Sequence, residues 1–504
     1  MRFLVALRHA GYVRHLRSTI CELCARDHEV VVLIGIRGEQ RDGDNLLTQW
    51  DRELAELTGD LPRLTVKPGA EPRGPGAQDL GGAMRSWLDY MHFLDPGFKS
   101  STKLRKRARL NVPAHLRAPT ETAARSNELR TVLDASAREL ERSLPIPDGV
   151  RDAIAEVKPD AVVACPLMET RSPQVGYLRA AHELGVPAAV CVASWDNLTT
   201  SSLLHGEPDL VLVWNEAQQK EASRFHGISR ERVVATGAPL YDDWFGLGPS
   251  TSPDEFRGQA GLPNGQPFVL YVCSSKFIAP DEAEWIHTWI EGVRGSGIAE
   301  LEDLAVLVRP HPQHPLLDGS DAAAELERTP NLVIHPRDGA LSILGSELAT
   351  YYDSIHHSAA VVGINTSAMI ESAIAGRGVH ILLTKRYRDT QEGAPHFAHL
   401  QSAGGGLVTV RRKSKLHAAD LAAAIRNEDR KQVEDRSRKF LEAFVRPHGL
   451  DQPATPLAAD ELEKLARSGP RETQQELARG GKGEAIADLE RAFYPSKRRP
   501  APTE

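Results

Sequence analysis

Three short stretches of this chain carry residues whose types and spacing suit a phosphorylated nucleotide. The first is Asn365-Thr-Ser-Ala-Met-Ile-Glu371. Asn365, Thr366 and Ser367 are successive side chains able to cap a helix start. Ser367 and Glu371, four residues apart, share one face of that helix. A hydroxyl beside free N–H groups suits a phosphate, and a carboxylate one turn further on suits a ribose diol. The alternative is a capped helix whose early glutamate merely complements the helix dipole. The second stretch is Arg309-Pro-His-Pro312. Each proline bars the preceding residue from the helical region, so Arg309 and His311 are held extended. A guanidinium and an imidazole fixed in this way suit a pyrophosphate or a phosphate ester; otherwise they form a rigid turn with a surface histidine. The third stretch, Ser274-Ser275-Lys276, again offers small hydroxyls and a cation.

The elements that must position these residues are legible around them. Ala359 to Ile364 is a continuous apolar run with β-branched residues, which predicts a buried strand. Ala368 to Ala375 reads as a helix stopped by Gly376, and His380 to Thr384 as the next strand. Leu304 to Val308 is a strand running into Arg309, and Phe268 to Cys273 is one running into Ser274. All three stretches therefore start where a strand ends, the place where open α/β sheets bind ligands. The polar loop Asp389 to Phe397 follows the strand at 380–384 and is expected to line the same site.

With these motifs in hand the chain resembles a known group. Ser194-Trp-Asp-Asn-Leu-Thr199, Val213-Trp-Asn-Glu216, Arg309-Pro-His-Pro312 and Gly363-Ile-Asn-Thr-Ser-Ala-Met-Ile-Glu371 are similar to those of bacterial proteins grouped with CDP-glycerol glycerophosphotransferases. These in turn resemble surface-carbohydrate glycosyltransferases. The resemblance covers roughly residues 1–450. It implies an α/β, GT-B-like fold: two Rossmann-like domains with parallel sheets facing a cleft, the donor nucleotide in the second, and no metal or other cofactor. It places His311 on the donor phosphate or nucleotide, and Thr366 and Ser367 in the phosphate turn. Thr200-Ser-Ser202 departs from the group's Thr-Lys-Gly, so an acceptor-side lysine is not carried over.

The first domain is read from the amino end. Arg2 to Leu7 is a strand, a helix follows to about Asp27, and Glu29 to Ile34 is the next strand. This βαβ start lacks a G-x-G-x-x-G, so it is not read as a dinucleotide site. His9 stands where a base could face the cleft, or it is an ordinary loop histidine. Strands are expected at Ala161 to Cys165, Ala188 to Val192, Leu210 to Trp214 and Val233 to Thr236, with a helix over Gln174 to Leu184. Asp196, after the strand at 188–192, could take a proton from an acceptor hydroxyl; the alternative is an Asx-type turn that fixes the loop. Cys21 and Cys24 have C-x-x-C spacing inside a helical pattern with no second ligand pair, so they read as thiols.

Gly69 to Gly82 reads as a loop leading to a helical insertion at about 84–117. There Lys99, Lys103, Arg105, Lys106, Arg107, Arg109 and Arg117 occur with no acid between Asp95 and Glu121. Such a run is either a solvated face or a basic collar for an anionic membrane. The expected division is an acceptor-side domain over 1–246, a linker over 247–265, a nucleotide-donor domain over 266–467 whose terminal helices could cross back, and a flexible tail over 468–504.

At 504 residues the chain exceeds one ordinary core. Its net charge of -7 argues against nucleic acid as a partner. No apolar run approaches the ~18 residues of a spanning helix, and Phe3 to Leu7, broken by Arg8, is no signal peptide. A cytoplasmic location follows as the expectation, with peripheral membrane contact through the basic run.

The function expected is transfer of a sugar or polyol phosphate from a nucleotide-activated donor to a surface-carbohydrate or lipid-linked acceptor. Ser274, Ser275, Arg309, His311, Asn365, Thr366, Ser367 and Glu371 would hold the donor, and Asp196 or His9 would be the base. The alternatives are a nucleotide-sugar epimerase of the same fold, which needs no acceptor, and a non-catalytic nucleotide-sugar-binding protein.

Overall fold

The computed structural model describes residues 1–35, 55, 59, 61–70, 77–146, 148–312, 314, 316–337 and 345–469. Among these the chain divides into two compact units between Pro239 and Leu240, and Ala454 onward belongs to the first.

The first unit is built on seven strands: β1 (Arg2–Leu7), β2 (Glu29–Ile34), β3 (Leu64–Pro68), β4 (Ala161–Cys165), β5 (Ala188–Cys191), β6 (Leu210–Val213) and β7 (Val233–Ala235). They lie in the order β3-β2-β1-β4-β5-β6-β7. All neighbours are parallel, with Val5 of β1 opposite both Val32 and Val163. The near-continuous apolar strands follow from that arrangement, since helices cover both faces of a parallel sheet. Leu4 and Ala6 of β1 pack into one core with Val175 and Leu178. Phe3 and Val5 pack into the opposite core with Leu16, Ile20 and Leu462. One strand thus feeds two cores through its two-residue alternation.

Two features of this unit bear on the sequence reading. The helix Ala454–Ser468, one of the terminal helices read as able to cross back, packs on the first unit. Arg26 reaches Asp460 at 2.6 Å and Glu463 at 3.1 Å, and His28 reaches Glu463 at 3.1 Å. Its apolar stripe, Ala458, Ala459 and Leu462, completes the core beneath Leu16. The second is the insertion, whose extent differs from the one expected. It is helical over Ala77–Phe93, Thr102–Leu110, Ala114–Ala123 and Asn127–Ser143, so it starts inside the expected glycine-rich loop and extends past Arg117. Gly82 lies inside the first of these helices, and a Cβ there would stand 3.3 Å from the Arg171 side chain, so the glycine permits a close approach.

The second unit repeats the plan with six strands: β8 (Phe268–Val272), β9 (Ala305–Arg309), β10 (Leu332–Ile334), β11 (Ala360–Gly363), β12 (Val379–Leu382) and β13 (Thr409–Arg411). Their order is β10-β9-β8-β11-β12-β13, all parallel. The expected linker at 247–265 is instead part of this unit. Ser252 and Glu255 form a capping box with Pro253 at the first helical position, and the helix Pro253–Ala260 ends at Gly261, φ +76. Ser250 and Thr251 just ahead of it bind Asp353: the Ser250 N–H donates at 2.9 Å and the two hydroxyls at 2.7 and 2.6 Å. Burial works against the Asp353 charge, but these bonds hold its carboxyl below the usual range.

In both sheets the first strand is central and the chain order reverses beside it, between β1 and β4 and between β8 and β11. These are the topological switch points of doubly wound sheets. Among the described residues no helix is long and apolar enough to cross a membrane. The expected tail lies outside the described residues, apart from Ser468 and Gly469.

Candidate functional site

In the second unit, β8 and β11 are drawn together at Gly363, where a Cβ would stand 2.8 Å from the Val272 carbonyl oxygen. The two chains then turn away from the sheet side by side. Ser274 is fully buried, and its hydroxyl accepts from the Asn365 N–H at 3.3 Å. Its own N–H donates to Glu282 at 2.8 Å, and Tyr271 donates to the same carboxyl at 3.2 Å. Burial pushes Glu282 well above the usual carboxylate range, against the pull of those bonds. Ser274 thus ties the switch point together, and its hydroxyl is turned inward. Ser275 is half-buried, with its carbonyl accepting from Ile278 and Ala279.

Asn365 is buried and anchors the far side of the same knot. Its Nδ2 donates to the Thr390 carbonyl at 2.7 Å and meets His396 Nε2 at 3.0 Å. The loop Asp389–Phe397 is therefore a packed turn rather than an open lining: Gln391 is fully buried and Thr390 donates to the Ile278 carbonyl at 3.0 Å. Thr366 is half-buried and Ser367 exposed where the helix Ala368–Ile374 begins. Ser367 makes no capping bond with its side chain, contrary to the expected cap; carbonyls do the work, Thr366 accepting from Met369 and Ser367 from Ile370. The helix stops before Gly376, φ +73, where a left-handed residue is required.

Arg309 closes β9 and is buried, with its guanidinium carbon 4.2 Å over the Tyr351 ring. Tyr351, from the helix Gly345–His356, donates its hydroxyl to Glu371. Burial first, and the Glu371 charge second, drive the phenol pKa well up, so the proton stays on Tyr351. A cation, a phenol and a carboxylate are thereby linked across β9 and the helix after β11. His311, half-exposed, sits in a tight turn whose carbonyl accepts from the His314 N–H at 2.9 Å. His314 Nδ1 in turn lies 3.3 Å from the Ser274 carbonyl, which fixes this turn to the end of β8.

In the first unit, the loop after β5 holds Asp196 by both carboxylate oxygens. Ser194 donates to one at 2.6 Å and Thr200 to the other at 3.0 Å, and the Thr199 and Thr200 N–H groups bind its carbonyl. This is the loop-fixing geometry. His9 follows β1, with its ring 4.6 Å from that of Tyr12. Tyr12 donates to Glu169, the loop residue after β4, and Arg8 pairs with Glu169 at 2.5 Å. Burial raises the Glu169 pKa even so, while Arg8 pulls it down. His15 bonds to the Ala193 backbone beside the Asp196 loop, and burial, then Arg14, hold it uncharged.

Sequence reasoning missed Arg8, Tyr12 and Glu169 here, and Tyr351 and Glu282 in the second unit. Tyr12 follows β1 and Glu169 follows β4, so strand-end position was the available signal. Tyr351 sits mid-helix with nothing in its spacing to mark it. The basic run is largely spent internally. Arg105 donates to the Phe93 and Phe98 carbonyls, Arg107 to that of Thr200, and Arg117 to those of Val112 and Leu110. Arg109 pairs with Glu121 at 2.8 Å.

No protein-family model matches this chain, and no curated protein matches it. Solved structures do resemble it. A glycosyltransferase from Rickettsia africae aligns with a TM-score of 0.52 at 10% identity, over 92% of this chain and 98% of that one. A putative UDP-N-acetylglucosamine 2-epimerase from Listeria monocytogenes aligns at 0.51 and 12% identity, over 92% and 96%. The UDP-GlcNAc 2-epimerase of Neisseria meningitidis, solved with UDP-GlcNAc bound, aligns at 0.50 and 12%, over 92% and 100%. At these identities the likeness is one of fold. The chain has the GT-B-like fold, two Rossmann-like units on parallel sheets.

Proposed function

We propose that the protein is a transferase that takes a sugar or polyol phosphate from a nucleotide-activated donor held by the second unit. The observation that carries this reading is the Arg309–Tyr351–Glu371 cluster at the carboxyl ends of β9 and β11, beside a switch point. Glu371, oriented by Tyr351, takes the ribose hydroxyls. Arg309, His311, Thr366 and Ser367 take the phosphates, with Ser274, Ser275 and Asn365 shaping the turn that presents them. The fold shared with a glycosyltransferase and with an epimerase that binds UDP-GlcNAc supports a nucleotide-sugar donor. The narrower kinship with CDP-glycerol glycerophosphotransferases rests on the motifs.

In the transfer step an acceptor hydroxyl oxygen bonds to the reacting carbon or phosphorus. Its proton passes to a base of the first unit, and the bond to the leaving nucleotide phosphate breaks with its electrons. Charge grows on that phosphate, where the Arg309 guanidinium and His311 offset it without a metal. We take His9 as that base, since both oxygens of Asp196 are engaged by hydroxyls of their own loop. The acceptor is a carbohydrate or a lipid-linked saccharide. The experiment is turnover of a panel of nucleotide sugars and CDP-polyols with and without acceptors.

The second reading, an epimerase, is favoured by the fold likeness to the two epimerases, and donor conversion that needs no acceptor would establish it. Peripheral membrane contact through the basic run draws little support from the four engaged arginines. Only Lys99 and Lys106 of the run's lysines stand fully exposed, and each cation near an anionic bilayer contributes about 1 kcal/mol. Sedimentation with anionic and neutral vesicles at low salt decides it, and we expect equal recovery in both supernatants.

A further inference from the structure

A cavity in the first unit lies at the amino-terminal end of its sheet, away from the switch point. Three segments that lead into neighbouring strands meet there: the helix end at His182 ahead of β5, Gly206 and Glu207 ahead of β6, and Ser229 and Arg232 ahead of β7. With Arg138, Glu141 and Arg142 of the helix Asn127–Ser143 they enclose about 470 Å³. That is the size of pockets that take small ligands.

The charges around this cavity pair unevenly. Asp134 is taken by Arg138, which donates at 2.7 and 3.4 Å, and Glu141 is taken by Arg85 at 2.8 Å. Glu183, on the helix of Arg179, is taken by Arg151 at 2.9 Å. Glu207 is left facing two guanidiniums, Arg142 in contact and Arg232 at 3.8 Å. Glu139 approaches Arg142 only at 3.7 Å and from solvent. Arg179 donates to the carbonyls of Arg142 and Leu144 and, among the described residues, pairs with no carboxylate. Arg142, Arg179 and Arg232 thus bring three guanidiniums to the one carboxylate of Glu207, while Asp209 and Asp89 stand behind the lining His182 at 3.1 Å and His205 at 2.9 Å. Arg232 is only 17% exposed, and its buried Nε has no partner among the described residues. The rest of the wall is Leu88, Leu204, Phe225 and Ile228, together with His205, held by Asp89 at 2.9 Å, and His226, whose Nε2 meets the Leu198 carbonyl at 2.8 Å.

We propose that this cavity binds a small organic phosphate monoester, its dianion matched by Arg142, Arg179 and Arg232 and its body by the apolar wall. The occupant sits at the opposite end of the strands from the proposed chemistry, so it acts as an effector or a structural ligand. The test is calorimetric titration of the full chain with phenyl phosphate and with inorganic phosphate at low salt. Phenyl phosphate should bind at least about tenfold more tightly than inorganic phosphate, because only the ester reaches the apolar wall. Arg232→Gln should weaken it about tenfold or more, the worth of one charge-assisted hydrogen bond. Glu207→Gln, which removes the competing carboxylate, should tighten it. Arg309→Gln, altered in the second unit, should leave it unchanged, which separates this site from the donor site. Should Arg232→Gln fail to fold by circular dichroism, the Glu207→Gln arm decides alone. Binding of neither probe, weakening or no change in Glu207→Gln, or loss of binding in Arg309→Gln would overturn the proposal.

Discussion

The Arg309 guanidinium carbon stands 4.2 Å from the centre of the Tyr351 ring, joining the end of β9 to the helix Gly345–His356. A cation over an aromatic face, with the phenol hydroxyl given to Glu371, fixes the three groups relative to one another. The pairing assigns separate tasks to the two ends of the tyrosine, and these can be taken apart.

Tyr351→Phe keeps the ring under Arg309 and removes only the hydroxyl that orients Glu371. Nucleotide affinity should fall about 3- to 10-fold, the worth of one hydrogen bond, while pyrophosphate affinity stays level. Glu371→Gln should show the same split. Calorimetric titration with UDP, CDP and pyrophosphate reads both, and equal losses for nucleotide and pyrophosphate would remove the ribose role.

The base assignment separates turnover from binding. His9→Ala should lower transfer by ~10²–10⁴-fold with donor affinity unchanged. Asp196→Asn should instead loosen the Ser194–Thr200 loop, lowering melting temperature together with activity. Full turnover in the His9 variant would move the base elsewhere, with Glu169 the next group to test.

Gly363 is a packing requirement of the second unit. A Cβ there meets the Val272 carbonyl oxygen at 2.8 Å, and backbone cannot move aside cheaply. Gly363→Ala should cost about 1–3 kcal/mol by urea unfolding and should weaken nucleotide binding with it. A variant as stable as the parent would mean that β8 and β11 separate more freely than their spacing indicates.

The docked helix Ala454–Ser468 predicts a pH dependence. Hydrogen bonds from His28, then Arg26 and Arg467, outweigh burial and hold the Glu463 carboxyl down to about 2. A depressed folded pKa stabilises above the unfolded value of about 4.3, and the gain is lost as pH falls through about 2. Glu463→Gln should therefore be less stable than the parent at pH 6. The two should converge between pH 4.5 and 2 when urea midpoints are compared. A constant gap across that window would show that the carboxylate charge contributes nothing.

Much of this arrangement was legible in the sequence, and what was missed has physical reasons. Apolar runs such as Arg2–Leu7 and Ala161–Cys165 announce buried parallel strands because both their faces are covered. Leu64–Pro68 and Thr409–Arg411 escaped because these edge strands are half exposed and carry no continuous apolar run. The supposed linker hid its own signal, since Ser252-Pro-Asp-Glu255 is a capping box with proline at the first turn. At the site, strand-end position marked Arg309 at the end of β9 and Thr366 and Ser367 just after β11. It could not show that Ser274 turns inward, because the partner that holds its hydroxyl, Asn365, lies 91 residues away. Tyr351 was invisible for the same reason: contact across a sheet leaves no mark on local spacing.

The central claim is that the carboxyl ends of β8, β9 and β11 form a nucleotide-phosphate site. Its most direct test is thermal and calorimetric titration of the full chain with UDP, CDP, CMP and GDP, beside Arg309→Gln and His311→Ala. We predict that at least one nucleotide stabilises the protein, by about 2.7 kcal/mol at a hundredfold excess over its Kd. Both variants should lose most of that response while keeping the melting temperature of the ligand-free protein. Binding by no nucleotide, or equal binding by the parent and both variants, would contradict the account.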